Sequence, residues 1–126
     1  MIELKSGIYT KLKSITDNVY YQEASRDTQY PYIVFEITGA TRSDVRESSI
    51  LNINIYDKKG NNIEIIEKLE EDIKRELHYF DINTSSIAAS VRQTGSNNLD
   101  SIEDQHRRRQ VEYQVYYYTK ALYEEV

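Results

Sequence analysis

A small protein that does chemistry needs a nucleophile with a base, a set of metal ligands, or a loop that cradles phosphate. This sequence supplies none of them in a recognisable pattern. Cysteine is absent, which removes thiolate nucleophiles, thiolate metal sites and disulfides and is compatible with a reducing compartment. The two histidines, His78 and His106, have no third ligand in register for zinc. His78 falls near the end of an expected helix, where an imidazolium suits the negative end of the helix dipole better than it suits catalysis. His106 adjoins Arg107-Arg108-Arg109, whose charge disfavours a further cation. Single glycines at 7, 39, 60 and 95 cannot build a phosphate loop or a dinucleotide fingerprint. The neighbouring carboxylates Glu70-Glu71 and Glu124-Glu125 read as a solvated helix face and a tail. A non-enzyme is expected, with no cofactor and no metal.

Two features point towards contacts instead. The first is the basic run Arg107-Arg108-Arg109. Asp100, Glu103, Asp104 and Glu112 surround it, and the chain as a whole carries a formal charge of -5. Affinity for a phosphate backbone needs clustered, uncancelled cations, so specific nucleic-acid binding is not expected. On an extended strand Arg108 faces opposite to Arg107 and Arg109. The run reads as a charged strand entrance paired with nearby acids, or as an intersubunit cluster in which guanidinium groups grip carboxylates. The second feature is twelve tyrosines against two phenylalanines and no tryptophan. A ring with a hydroxyl suits an interface; it equally suits a half-buried sheet.

The elements that must position these residues follow from periodicity. Residues 2–16 predict a helix, with Leu4, Ile8, Leu12 and Ile15 on one face. Asp17-Asn18 stops it, and Val19-Tyr20-Tyr21 reads as a short strand. Residues 22–29 are polar and read as a loop. Tyr30 to Ile37 is a strand opened by the sole proline, ended by Gly39, with Ala40 to Asp44 as a polar connection. Leu51, Ile53 and Ile55 alternate with Asn52, Asn54 and Tyr56, a strand with one buried face. After a turn at Asp57–Gly60, Asn61 is the expected N-cap of a helix to about Tyr79, with Glu64 completing a capping box. Ile66, Leu69, Ile73 and Leu77 form its apolar stripe, with Ile63 and Phe80 near its ends. Glu64–Lys68, Glu70–Lys74 and Glu71–Arg75 are expected ion pairs on its outer face. Ile87 to Val91 is a further strand, residues 94–105 are a polar connection with a short turn of helix at Leu99 to Glu103, and about Gln105 to Leu122 is a long strand. In that last strand Val111, Tyr113, Val115 and Tyr117 point one way, and Glu112, Gln114, Tyr116 and Tyr118 the other.

The order α-β-β-β-α-β-β predicts a single α+β domain over residues 1–126, a mostly antiparallel sheet with both helices packed on one face and the tyrosines on the other. The composition, 39% hydrophobic and 29% charged, is that of a soluble globular domain. Met1 to Lys5 lacks the apolar core of a signal peptide, and no apolar run of about 18 residues can cross a membrane.

The stretch Val19-Tyr20-Tyr21-Gln22-Glu23-Ala24, followed by Thr28-Gln29-Tyr30-Pro31-Tyr32-Ile33-Val34-Phe35, resembles the tail-completion (head–tail joining) family of long-tailed bacteriophages. That family opens with a short amphipathic helix and a brief strand ending in tyrosine; an alanine-containing loop then leads into Pro-Tyr and an apolar strand. The order continues here through a polar connection with Arg42 and Arg46, the strand Leu51 to Asp57 and the helix Ile63 to Leu77, to about residue 80. Asp17 and Asn18 stand where many relatives carry a basic residue or glycine. The resemblance implies a structural virion protein at the head–tail interface: a ring of six copies that caps the tail tube and meets the head-completion (stopper) protein, with DNA passing through the lumen unbound. The acidic balance suits such a channel, since like charges deter sticking. Expected interaction residues are Arg42, Arg46, Arg107, Arg108 and Arg109, with Tyr113, Tyr116, Tyr117 and Tyr118 on the sheet. The alternative is a small monomeric α+β adaptor that binds a peptide or protein through those four tyrosines. Residues 22–29, 40–48 and 94–105 are expected to be mobile in a free monomer.

Overall fold

The chain's alternating segments become one sheet, and its two amphipathic segments become the layer that covers it. In the computed structural model, which describes residues 2–24, 29–42, 47–58, 60, 62–84, 87–93, 99–103 and 106–119, the elements in chain order are α1 (Ile2–Lys13), β1 (Val19–Tyr21), β2 (Tyr32–Arg42), β3 (Glu47–Lys58), α2 (Ile63–Leu77), β4 (Asp81–Asn83), β5 (Ile87–Gln93), β6 (Leu99–Glu103) and β7 (His106–Thr119). The sheet order is β1-β2-β3-β7-β5-β4, with β6 also on β7. Every pairing is antiparallel except β1 with β2. The α+β class, the mostly antiparallel sheet and the two helices on one face are therefore those the sequence predicts.

Strand β7 is the axis of the domain. One edge pairs with β3 from Glu47↔Tyr117 to Lys58↔His106. The other edge is shared: β5 takes Tyr113 to Thr119 and β6 takes His106 to Gln110. Five residues, 94–98, separate β5 from β6, while only Val111 and Glu112 separate the matching stretches of β7. A strand as long as β7 would otherwise leave half an edge of amides and carbonyls unpaired. That demand explains why Leu99–Glu103 is a strand and not the turn of helix expected from its sequence. It also adds β6, and the short β4 is a further addition to the predicted order.

Other boundaries move for local reasons. Strand β2 runs through Gly39 to Arg42 instead of ending there, with an irregular register between Thr38 and Thr41. Gly39 has φ +67, a bulge conformation that glycine adopts without strain. The N-cap of α2 is Asn62, not Asn61: its side chain accepts from the Glu64 amide at 3.0 Å. Helix α1 ends at Lys13 and α2 at Leu77, each short of its predicted end; His78 caps α2.

The apolar stripes meet as periodicity requires. Leu4, Ile8 and Leu12 of α1 and Ile66, Leu69, Ile73 and Leu77 of α2 are buried against Ile33, Phe35, Leu51, Ile53, Ile55, Val111 and Val115. Each such side chain contributes about 1.5–3 kcal/mol through burial. Ile15 and Phe80 pack partly buried at the margin, whereas Ile63 is exposed. Helix α1 touches both ends of the sheet. The Lys5 ammonium lies 4.6 Å from the centre of the Tyr21 ring on β1, and a Cβ at Gly7 would stand 2.8 Å from Ile82 Cδ1 on β4. The sheet thus curves around α1, and a glycine lets that helix approach its far edge.

Candidate interaction surface

Alternation divides each strand between two environments. On the helix-covered face, facing inwards, are Ser49, Leu51, Ile53, Ile55 and Asp57 of β3 and Val111, Tyr113, Val115 and Tyr117 of β7. Tyr113 is wholly buried and Tyr117 nearly so. Tyr113 is thereby removed from a recognition surface on the open face, which corrects the expectation that all four β7 tyrosines form one; Tyr117 reaches the surface only where it lines the groove beside β4. Their parity had already separated them from Tyr116 and Tyr118, and the burial of their Val111 and Val115 neighbours settles which side is the core. Tyr116 and Tyr118 lie on the open face.

The arginine run splits in the same way. Arg109 points beneath α2, where its Nη1 donates to Glu70 Oε2 at 2.8 Å; Lys74 approaches the other carboxylate oxygen at 3.1 Å. Glu70 is 7% exposed. It belongs to the buried stripe, not to the solvated face predicted for it. Its position four after Ile66 and three before Ile73 was the signal that placed it there. Arg109 is accordingly an internal partner of Glu70. Arg107 stands opposite the buried Asp57 in the ladder. Burial, and then the charge of Glu70, push the Tyr113 phenol well above its ordinary pKa. Its hydroxyl has no hydrogen-bond partner among the described residues. This cluster lies beneath α2, away from the residues that line the groove beside β4.

Surface ion pairs on α2 also depart from expectation. Glu70–Lys74 forms, but Lys68 and Arg75 both choose Asp72, at 3.0 and 2.9 Å. Hydrogen bonding from Lys68 holds the Asp72 carboxyl below its usual range, and Lys11 does the same to Glu76 across the helix pair. His78 is exposed, with its ring 3.9 Å from that of Tyr79.

The open face carries the candidate surface. At one end, Tyr32 stacks on Tyr56 with ring centres 4.9 Å apart and an angle of 15°. Tyr30 lies 5.5 Å from Tyr32, and Tyr20 meets it edge-on at 6.4 Å. Burial, reinforced by Tyr30 and Tyr56, raises the Tyr32 phenol. The ladder sets Arg108 directly beside Tyr56 and Gln110 beside Asn54. Two buried polar atoms here, Arg108 Nε and Asn54 Oδ1, have no partner among the described residues, one a donor and one an acceptor. The middle of the face is polar: Gln110 donates to Asn52 at 3.3 Å, and Glu36 and Glu112 flank Asn52 in register. At the far end a groove of about 510 Å³ runs beside β4, lined by Asp81, Asn83, Ser90, Arg92, Tyr116 and Tyr118 among others. Tyr20, Tyr30, Tyr32 and Tyr56 were not singled out from the sequence. The Pro-Tyr strand and the Asn-Tyr alternation each place one ring, but only the β2–β3 register brings them together.

Arg42 is the last residue of β2, paired in the ladder with Glu47; Arg46 lies outside the described residues. Of the loops expected to be mobile, Ala40–Arg42, Glu47–Ser48 and Leu99–Glu103 lie in strands, and 25–28, 43–46, 94–98 and 104–105 fall outside the described residues. Among the described residues no three His, Asp or Glu side chains gather as a metal site, and no helix is long and apolar enough to cross a membrane.

No family model and no curated protein matches the chain. In three dimensions it resembles a solved structure whose name carries no function, with a TM-score of 0.68 at 12% identity over 93% of this chain and 92% of the other. At that identity the likeness concerns the fold, across the whole domain.

Proposed function

We propose that the protein is a structural assembly protein that joins a phage tail to the head-completion complex as a ring of identical copies. One observation carries the reading: the helix-free face of a seven-stranded sheet presents a tyrosine cluster with a guanidinium nitrogen and an amide oxygen that have no hydrogen-bond partner among the described residues. Buried polar atoms are normally satisfied, so orphans beside half-buried rings suit a surface completed by something else. Tyrosine rings supply contact area with little loss of rotamer freedom and stay soluble beforehand. The resemblance in the order and spacing of elements up to residue 80 names the kind of partner: tail tube on one side, head-completion protein on the other.

The groove beside β4 favours a second reading, a monomeric adaptor that takes an extended peptide along a short sheet edge. Electron microscopy of the purified protein with tail tubes separates the two. Rings seated on tube ends, lost in Tyr32→Ser/Tyr56→Ser, are the expected outcome. Bare tube ends beside a monomer that binds peptides would overturn the proposal.

A further inference from the structure

The helical layer leaves two unpaired stripes of opposite charge. Lys11 and Glu76, 3.0 Å apart, mark the flanks on which α1 and α2 face each other. With about 100° per residue, Lys5, Tyr9 and Lys13 share a stripe on the other flank of α1. Contacts agree with this: Lys5 covers the Tyr21 ring of β1, and the Tyr9 ring lies 6.4 Å from that of Phe35. By the same rule Glu64, Glu67 and Glu71 share a stripe of α2 turned away from Glu76. All these side chains are exposed.

Their lack of ionic partners sets them apart. Lys11, Lys68, Glu70, Asp72, Lys74, Arg75 and Glu76, the other described helical charges, all sit in ion pairs. Among the described residues Lys5, Lys13, Glu64, Glu67 and Glu71 form none; Lys13 donates to the Asp17 carbonyl at 2.7 Å. The charges left over segregate by sign, cations on α1 and anions on α2. The stripes also match in length, about 12 Å from Lys5 to Lys13 and about 10 Å from Glu64 to Glu71 at 1.5 Å per residue. Each flank adds an exposed apolar side chain, Tyr9 at 37% and Ile63 at 39%.

We infer that these flanks are the two halves of a head-to-tail contact, in which the Lys5–Tyr9–Lys13 stripe of one copy docks on the Glu64–Glu67–Glu71 stripe of the next. The stripes lie on opposite sides of the helical layer and cannot meet within one chain. A contact between different patches repeats from copy to copy and closes into a ring when the rotation allows. The inference rests on the assembly reading and names the contact through which the copies meet. The open tyrosine face then stays available to other proteins.

The test uses sedimentation velocity of the full chain over a concentration series. A mixture of isotopically heavy and light protein is coupled in parallel with a zero-length carbodiimide, which joins Lys amines to Glu carboxylates in contact. Oligomers that weaken with added salt are expected, with heavy–light peptides linking Lys5 or Lys13 to Glu64, Glu67 or Glu71. Lys5→Glu/Lys13→Glu and Glu64→Lys/Glu67→Lys/Glu71→Lys should each raise the apparent dissociation constant roughly tenfold or more, and the chain carrying all five changes should recover. The sites are exposed, so unchanged melting temperatures serve as the folding control. A wild type that stays monomeric without heavy–light links, or oligomers indifferent to either reversal, overturns the contact. Tail-tube binding is scored on the same samples: rings that assemble through these flanks yet ignore tubes defeat the tail-joining reading alone.

Discussion

Tyr113 and Tyr116 stand three residues apart on β7 and live under different rules. Tyr113 is sealed beneath α2 among Glu70, Arg109 and the aliphatic core, its hydroxyl without a partner among the described residues. Tyr116 lies on the open face beside Ser48 and Ser90. The covered face holds the molecule together, by volume and by the buried Glu70–Arg109 pair. The open face buries its side chains only in part. Composition alone treats these tyrosines as one population; the strand's period of two divides them.

The comparison breaks most easily at full truncation. Tyr113→Ala should cost about 3–5 kcal/mol of unfolding free energy, because a large cavity opens in the core. Tyr116→Ala should cost about 1 kcal/mol or less, the scale of a cross-strand pair. Urea denaturation of both variants decides. Equal losses would mean that the two faces are not energetically distinct.

Next in size is the ion pair. Glu70→Gln leaves the Arg109 guanidinium buried without its anion and should cost about 3 kcal/mol. The double variant Glu70→Leu/Arg109→Leu should return to within about 1 kcal/mol of wild type, since an apolar pair needs no desolvated charge. A double variant as unstable as the single one would show that the pair itself, and not the cost of orphaning one member, holds α2 on the sheet.

These residues also show what the sequence makes legible. The alternation from Leu51 to Tyr56 and the stripes of α1 and α2 locate the core directly, because burial follows the periods of strand and helix. The charge of Glu70 masks its membership of the same stripe as Ile66 and Ile73. For Arg109 the sequence points to nearby acids such as Asp100 and Glu112, whereas its partner Glu70 sits 39 residues away and is met only across the helix–sheet layer. The strand at Leu99–Glu103 has no strong local pattern. The uncovered edge of β7 induces it, a demand that exists only once the sheet is assembled. The tyrosine cluster likewise depends on the register Tyr32↔Tyr56, which no local window contains.

On the open face the effects should shrink. The stacked pair Tyr32–Tyr56 should show a coupling of about 0.5–1.5 kcal/mol in a double-mutant cycle with alanine. The same substitutions should weaken capture of a partner far more than they lower the melting temperature. If stability and capture fell together, the cluster would be a misplaced piece of core.

The smallest effect at neutral pH tests the covered face most finely. Tyr113→Phe removes a buried hydroxyl that has no hydrogen bond among the described residues, so it should leave stability within about 1 kcal/mol of wild type, or raise it. Alkali then separates the two proteins. In the unfolded chain the phenol ionises near its ordinary value of about 10. In the native protein, burial and Glu70 keep it protonated to higher pH. A group with a raised native pKa contributes fully below the unfolded value and loses that contribution as pH climbs towards the native one. Wild type should therefore lose stability above pH of about 10 more steeply than Tyr113→Phe, by up to about 1.4 kcal/mol per pH unit. The other tyrosines are common to both proteins and cancel in the difference. Urea midpoints at neutral and strongly alkaline pH measure it directly. Parallel decline of the two curves would show that the Tyr113 hydroxyl reaches water or a hydrogen-bonding partner, and that the covered face is less sealed than its aliphatic neighbours imply.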